Sequence, residues 1–279
     1  MAAPPPPRVG NLKVVKEERQ GRDFITVELP IHSTRYRIIE AFIHSSLCLL
    51  ETTKGRQSLA HVAERIIEER NRLNLTLSRF RQHTHLYRYP LKDMPMWIDR
   101  FLISMRNTFP PVWVSTRCEG EAMAVKDDQD WGDDMSTFIA SDAGTLWLNE
   151  VLIDNMTEAF SLATPVGRES YELFKFQLII SVAHEIVHFL TSFLTGSCEP
   201  STPPGVEALP YKVDGVGEAG RYWEDVFLGG FLECWSDPKH PLDLRQPGRP
   251  YLFESGPRTT ARGIKVCPTY IAEILSGRE

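Results

Sequence analysis

No two cysteines of this chain form a CxxC pair: Cys48, Cys118, Cys198, Cys234 and Cys267 are odd in number and widely spaced. Neither a disulfide framework nor a cysteine-based zinc site is implied. A basic stripe is also missing, because 31 basic residues are interspersed with 37 acidic ones for a net charge of -6, and no stretch can track phosphates. Nucleic acid is thereby excluded as a partner. The start, Met1-Ala2-Ala3 followed by Pro4 to Pro7, has neither the basic nor the apolar region of a secretory signal. Together with the unpaired thiols, this predicts a reduced, cytoplasmic protein. A single apolar stretch, Phe176 to Leu194, approaches membrane length, but His184, Glu185 and His188 at its centre would be costly in lipid. It predicts a buried helix and no membrane partner. No internal repeat is visible.

What is there fits an α+β fold, mainly helical with a small mixed sheet beside a buried helix. Residues 1–22, Pro-rich and then charged, read as a flexible tail, and 23–279 as one domain: a helical and sheet part over 23–165, the chemistry-bearing helices over 166–235, and a C-terminal segment over 236–279. Phe24 to Leu29 alternates as a strand that Pro30 ends, and Arg35 to Leu50 has a helical apolar pattern. Ser58 is a candidate cap for a helix burying Leu59, Val62 and Ile66; a third helix follows Asp93 and Pro95 and stops at Pro110-Pro111. Val112 to Val114, Thr137 to Ile139 and Thr145 to Leu148 read as strands, and Ser170 as the cap of a helix over Tyr171 to Leu194, closed by Gly196. The acidic run Asp127 to Asp134 lacks the Gly and Glu of an EF-hand loop and reads as solvated, as do His83 and His85; Cys198 reads as an ordinary thiol.

The chemistry sits at His184-Glu185-Ile186-Val187-His188. On a helix, residues at i and i+4 project from one face, so two imidazoles converge on one tetrahedral metal and leave room for a third ligand and a water. Glu185, one residue on, leans to the side and reaches that water as a general base. Gln177, Ser181, His184, His188 and Thr191 or Ser192 form a narrow polar stripe on an otherwise apolar helix, which should therefore face a cleft. For the third ligand, Glu218 leads, flanked by glycines at a predicted helix start; Glu224 lies on another face, and Asp214 is a further candidate. The expected cofactor is one Zn2+ per chain on His184, His188 and Glu218.

These motifs resemble the zincin metallopeptidases, in the gluzincin branch, where HExxH on one helix is completed by a glutamate on a following helix. The resemblance covers about residues 137–235, and the texture is similar to that of small fungal zincin-like proteins. Thr191 and Leu194 stand where the longer HExxHxxGxxH pattern needs Gly and His, which excludes the metzincin branch. The chain departs from better-known gluzincins at Gly217, where an Asn is common, and at Tyr222, where an Asp would support the ligands. The resemblance implies that the metal polarises a scissile carbonyl, that Glu185 carries the proton, and that the strand before the active-site helix, here Thr145 to Leu148, pairs with extended substrate. Oxyanion donors could come from Tyr211, Arg221, Tyr222, His240 or Tyr251, with Tyr222 leading because it stands one turn after Glu218. The expected activity is peptide hydrolysis; a zinc enzyme acting on a small molecule and a catalytically inactive binding module are the alternatives.

Overall fold

The computed structural model describes residues 9–21, 23–76, 87–126, 134–196, 202–207, 217–235, 246–254 and 263–276. Within them the chain is α+β. A mixed five-stranded sheet has the order β2-β1-β3-β5-β4, from strands β1 (Val14–Gln20), β2 (Asp23–Glu28), β3 (Val112–Ser115), β4 (Ala122–Lys126) and β5 (Gly144–Asn149). β1, β3 and β5 run parallel, while β2 and β4 are antiparallel to their neighbours and close the two edges. Val14, Val112, Val114, Leu146 and Leu148 are fully buried on one face, as the period of two requires. Trp113 and Trp147 stack on the other, their centroids 5.6 Å apart. A second, antiparallel sheet is formed by β6 (Phe231–Trp235), β7 (Arg249–Phe253) and β8 (Ile264–Lys265).

Helices α1 (Thr34–Glu51), α2 (Thr53–Thr76), α3 (Met94–Asn107), α4 (Glu150–Ser161) and α6 (Ala219–Leu228) surround α5 (Pro165–Thr195), and α7 (Pro268–Ser276) also packs on α5. Thr164 caps α5 by accepting from Gly167 N, Pro165 supplies the preset first turn, and Gly196 ends it in the left-handed region at φ 72°. From Phe174 onward α5 is buried on nearly every side, among Phe101, Phe138 and its own Phe193. Although α5 is long and apolar enough to cross a membrane, that stretch is mostly enclosed by the fold. The short α6 is held by Trp223, fully buried, whose indole N–H donates to Ser58 Oγ at 3.1 Å.

Several elements differ from the sequence reading. Residues 9–20 are part of the fold rather than of a tail: Val9, Val14 and Val15 are buried, and the charged half of β1 reads as solvated because it belongs to the outer hairpin with β2. Ser58 lies inside α2 instead of capping it, and α5 starts one and a half turns before Ser170. Thr137 to Ile139 is no strand. Met135–Thr137 forms a 3-10 turn that turns Phe138 into the core, an outcome a three-residue apolar run leaves open. β5 has neighbours on both sides, so the edge strand here among the described residues is β4, which small side chains and a lysine conceal from a propensity reading. Residues 1–8, 127–133, His83, His85 and Cys198 lie outside the described residues.

Trp223 joins α6 to α2 and α5 through packing plus one buried hydrogen bond, so Trp223→Ala should lower the unfolding free energy by about 3 to 5 kcal/mol. Urea denaturation measures this directly, and a loss below about 1 kcal/mol would show that α6 is held by something else.

Candidate metal centre

Three side chains converge where α5 meets the start of α6. His184 Nε2 lies 3.3 Å from His188 Nε2, and the Glu218 carboxylate sits 3.1 Å from His184 Nε2 through Oε2 and 2.8 Å from His188 Nε2 through Oε1. The helix supplies the first two, one turn apart. Glu218 arrives by a different route. It is the N-cap of α6 at φ -133°, outside the helix, and accepts from Arg221 N at 3.2 Å. Its backbone is fixed from behind, where Glu218 N donates to Val206 O at 2.7 Å and Gly217 N to Thr202 O at 3.0 Å. Gly220 then lets α6 approach, because a Cβ there would stand 2.2 Å from His184 Cδ2.

This arrangement fits a zinc ion. Two nitrogens each about 2.0 to 2.1 Å from one tetrahedral ion lie about 3.3 Å apart, the separation of the two Nε2 atoms. The donor set of two imidazoles and one carboxylate is that of an open zinc site with a position left for water. Glu218 Oε1 is buried and accepts no hydrogen bond, its contact with His188 lacking hydrogen-bond geometry, so a cation would satisfy an oxygen that the protein leaves bare. Among the described residues these three side chains form the one cluster close enough to hold an ion.

Glu224 fixes the tautomer. Its Oε1 accepts from His184 Nδ1 at 2.6 Å, which leaves Nε2 free to ligate, while Oε2 accepts from Leu232 N at 2.7 Å and from the Arg221 guanidinium at 3.1 Å. The side chain is almost wholly buried. Helical spacing counted from Glu218 sets Glu224 on another face and makes it a rival ligand, whereas in the structure it supports His184. The supporting carboxylate expected four residues after Glu218 stands six after it, because Glu218 lies outside the helix and helical spacing from it does not hold. Tyr222 is displaced for the same reason: its ring stacks on His61, its hydroxyl lies 3.1 Å from His61 Nε2, and it does not line the cavity beside the cluster. Tyr222 thus stands against α2 and is not brought to the cluster as the catalytic residue expected from the sequence.

Glu185 is anchored apart from the three convergent side chains. Oε2 accepts from Ala124 N of β4 at 2.7 Å, and Oε1 lies 3.9 Å from His184 Nε2. A bifunctional carboxylate with one oxygen tied to the sheet edge and the other turned toward the ligand nitrogens is suited to moving a proton at that position. The adjoining cavity, about 260 Å³, is lined by Glu121, Gln177, Ser181, Arg221, Glu233 and Cys234 besides the groups already described. Of the five oxyanion candidates named from the sequence, Arg221 is the one that lines the cavity among the described residues, and its guanidinium is committed to Glu224, Glu233 and Leu232 O. Tyr251, on β7, does not line it; Asp214, Tyr211 and His240 lie outside the described residues. Thr191 and Ser192, which the polar stripe included, are fully buried beyond the cavity.

Burial disfavours the charged form of His184, but Glu218 and Glu224 outweigh it and hold the imidazole well above its ordinary pKa. Burial likewise raises Glu218, and the two histidines more than reverse this, leaving its carboxyl far below the usual range. Comparison with known proteins finds no matching family model, no matching curated protein and no matching solved structure.

Two outcomes follow for metal binding. If the cluster holds zinc, Glu218→Ala, which removes one of its three donors, should abolish tight zinc binding, whereas Glu224→Gln, which loosens His184, should weaken it by about 10- to 100-fold. Equal affinity of Glu224→Gln and wild type in competition with a chelating dye would contradict the role given to Glu224. The raised pKa means that the metal-free cluster holds a proton that a ligating His184 must lose, so zinc affinity should rise with pH up to that raised value and fall on acidification. Calorimetric heats should accordingly differ between buffers of different ionisation enthalpy at neutral pH. Identical heats would show that no proton leaves.

Proposed function

We propose that this chain is a zinc-dependent hydrolase of the zincin type, a metallopeptidase in which His184, His188 and Glu218 hold the metal and Glu185 is the general base. The observation that carries the reading is the pairing of a convergent ligand set with a separately anchored Glu185. A metal bound there supplies a Lewis acid and a water whose pKa is brought to about 7. The chain's own groups do the rest. Glu224 keeps His184 Nδ1 protonated, Ala124 N keeps Glu185 from swinging onto the ligands, and Glu185 Oε1 is left to take a proton and return it to the leaving amine. Alternation along β4, with Glu121 O facing β5, turns the backbone of Ala122 and Lys126 and the carbonyl of Ala124, whose N–H is taken by Glu185, to an edge that no other strand covers among the described residues, where an extended peptide could add as a further strand. That edge favours a peptide over a small metabolite as substrate.

Glu185→Gln keeps the size and hydrogen-bonding ability of the side chain while removing the proton acceptor. Zinc content should stay near wild type, and kcat on a mixed peptide library should fall by about 10² to 10⁴ with KM little changed. A wild type inert on peptides but active on a small metabolite would replace the substrate class; one inert on both, binding a partner equally well with Gln at 185, would make the chain a binding module.

A further inference from the structure

The cavity beside the cluster holds more negative charge than a metal would balance. Among the described residues, Glu121, Glu185, Glu218, Glu224 and Glu233 line it against one guanidinium, that of Arg221. Arg221 is already divided between Glu224 at 3.1 Å and Glu233 at 3.2 Å. A divalent ion on Glu218 would cancel two charges and still leave the lining negative. Glu121 faces this space with a neutral donor, Gln177 Nε2 at 2.9 Å.

Gln177 provides the second, independent observation. The residue is 6% exposed, and the bond to Glu121 sets its amide so that Oε1 is the acceptor left over. That oxygen is buried and has no donor. A buried carbonyl without a partner costs about 1 to 3 kcal/mol, and this one belongs to a side chain that lines the cavity two helical turns before His184. Glu121 wants a positive charge and Gln177 Oε1 wants an N–H. An ammonium or a guanidinium supplies both; a neutral amide supplies only the second, and an anionic group would be repelled.

We infer that Glu121 and Gln177 form a cation subsite that selects substrates carrying an ammonium or guanidinium group beside the bond to be cleaved. The inference rests on the hydrolase reading for the cleavage alone; the subsite is defined by binding. The cation could belong to a basic side chain or to a free peptide N-terminus, and three small amides separate these sources. N-acetyl-lysinamide carries the side-chain charge, norleucinamide the terminal one and N-acetyl-norleucinamide neither. Binding of each to the full chain, with zinc content measured on the same samples, should show at least one cationic amide held tenfold or more tighter than the neutral one. Which of them it is names the source. In Glu121→Gln and in Gln177→Leu the preference should drop below about threefold while the unfolding midpoint stays near wild type. Equal binding of all three amides, or a preference that survives both substitutions, would overturn the subsite. A second equivalent of zinc in wild type that is lost in Glu121→Gln would also overturn it, by giving the carboxylate to another ion. A chain without zinc that still prefers the cationic amides would defeat the hydrolase reading and leave the subsite standing; a zinc-loaded chain without the preference would do the reverse.

Discussion

The hydrogen bond from His184 Nδ1 to Glu224 Oε1, 2.6 Å long, ties α5 to α6, and the placing of the other site groups depends on it. It decides which imidazole nitrogen is free. It also requires α6 to lie against α5, which Gly220 permits by leaving no Cβ to meet the ring and which Trp223 maintains from the opposite side. With α6 in that position, its N-cap brings the Glu218 carboxylate over both Nε2 atoms. Glu224 is held in turn by Leu232 N at the start of β6 and by Arg221, so the second sheet acts as a brace for the ligand helix.

Gathering these groups is costly without a cation. Carboxylates and imidazoles taken out of water lose hydration that mutual hydrogen bonds only partly replace, and an oxygen left without a donor adds to the loss. Glu218 Oε1 is such an oxygen, and the contact of two imidazole nitrogens at 3.3 Å needs a proton or a metal between them. A bound ion converts this strain into affinity, so metal binding and stability of the α5–α6 contact should be linked. The surrounding core allows the cost to be borne: α5 is packed on nearly all sides by apolar groups from α1, α4 and the sheet.

The parts of the site legible in the sequence are those set by spacing within one helix. His184 and His188 share a face by arithmetic, and the apolar residues around them could only be buried. Glu218 was legible through its flanking glycines, which signalled close approach. Glu224 and Tyr222 are not legible in this way, because helical spacing from Glu218 does not apply to a residue outside the helix; with Glu218 as the cap, positions 222 and 224 turn to α2 and to His184. Strand order was hidden for a different reason. Whether β4 or β5 forms the edge depends on pairing between segments far apart in the chain, and Ala122 to Lys126 carries a single β-branched residue, Val125, too little to announce a strand. Likewise, the charged half of β1 has the composition of a tail and becomes a strand only through β2 and β3.

The central claim is that His184 and His188 are ligands to one ion rather than polar residues satisfied inside a core. Elemental analysis of the purified chain combined with X-ray absorption at the zinc edge tests it. The account predicts about one zinc per chain with nitrogen and oxygen neighbours at about 2.0 to 2.2 Å and no sulfur, and near-complete loss of the metal in His184→Ala and in His188→Ala. Stoichiometric zinc retained in both variants, or a sulfur neighbour at about 2.3 Å, would contradict it.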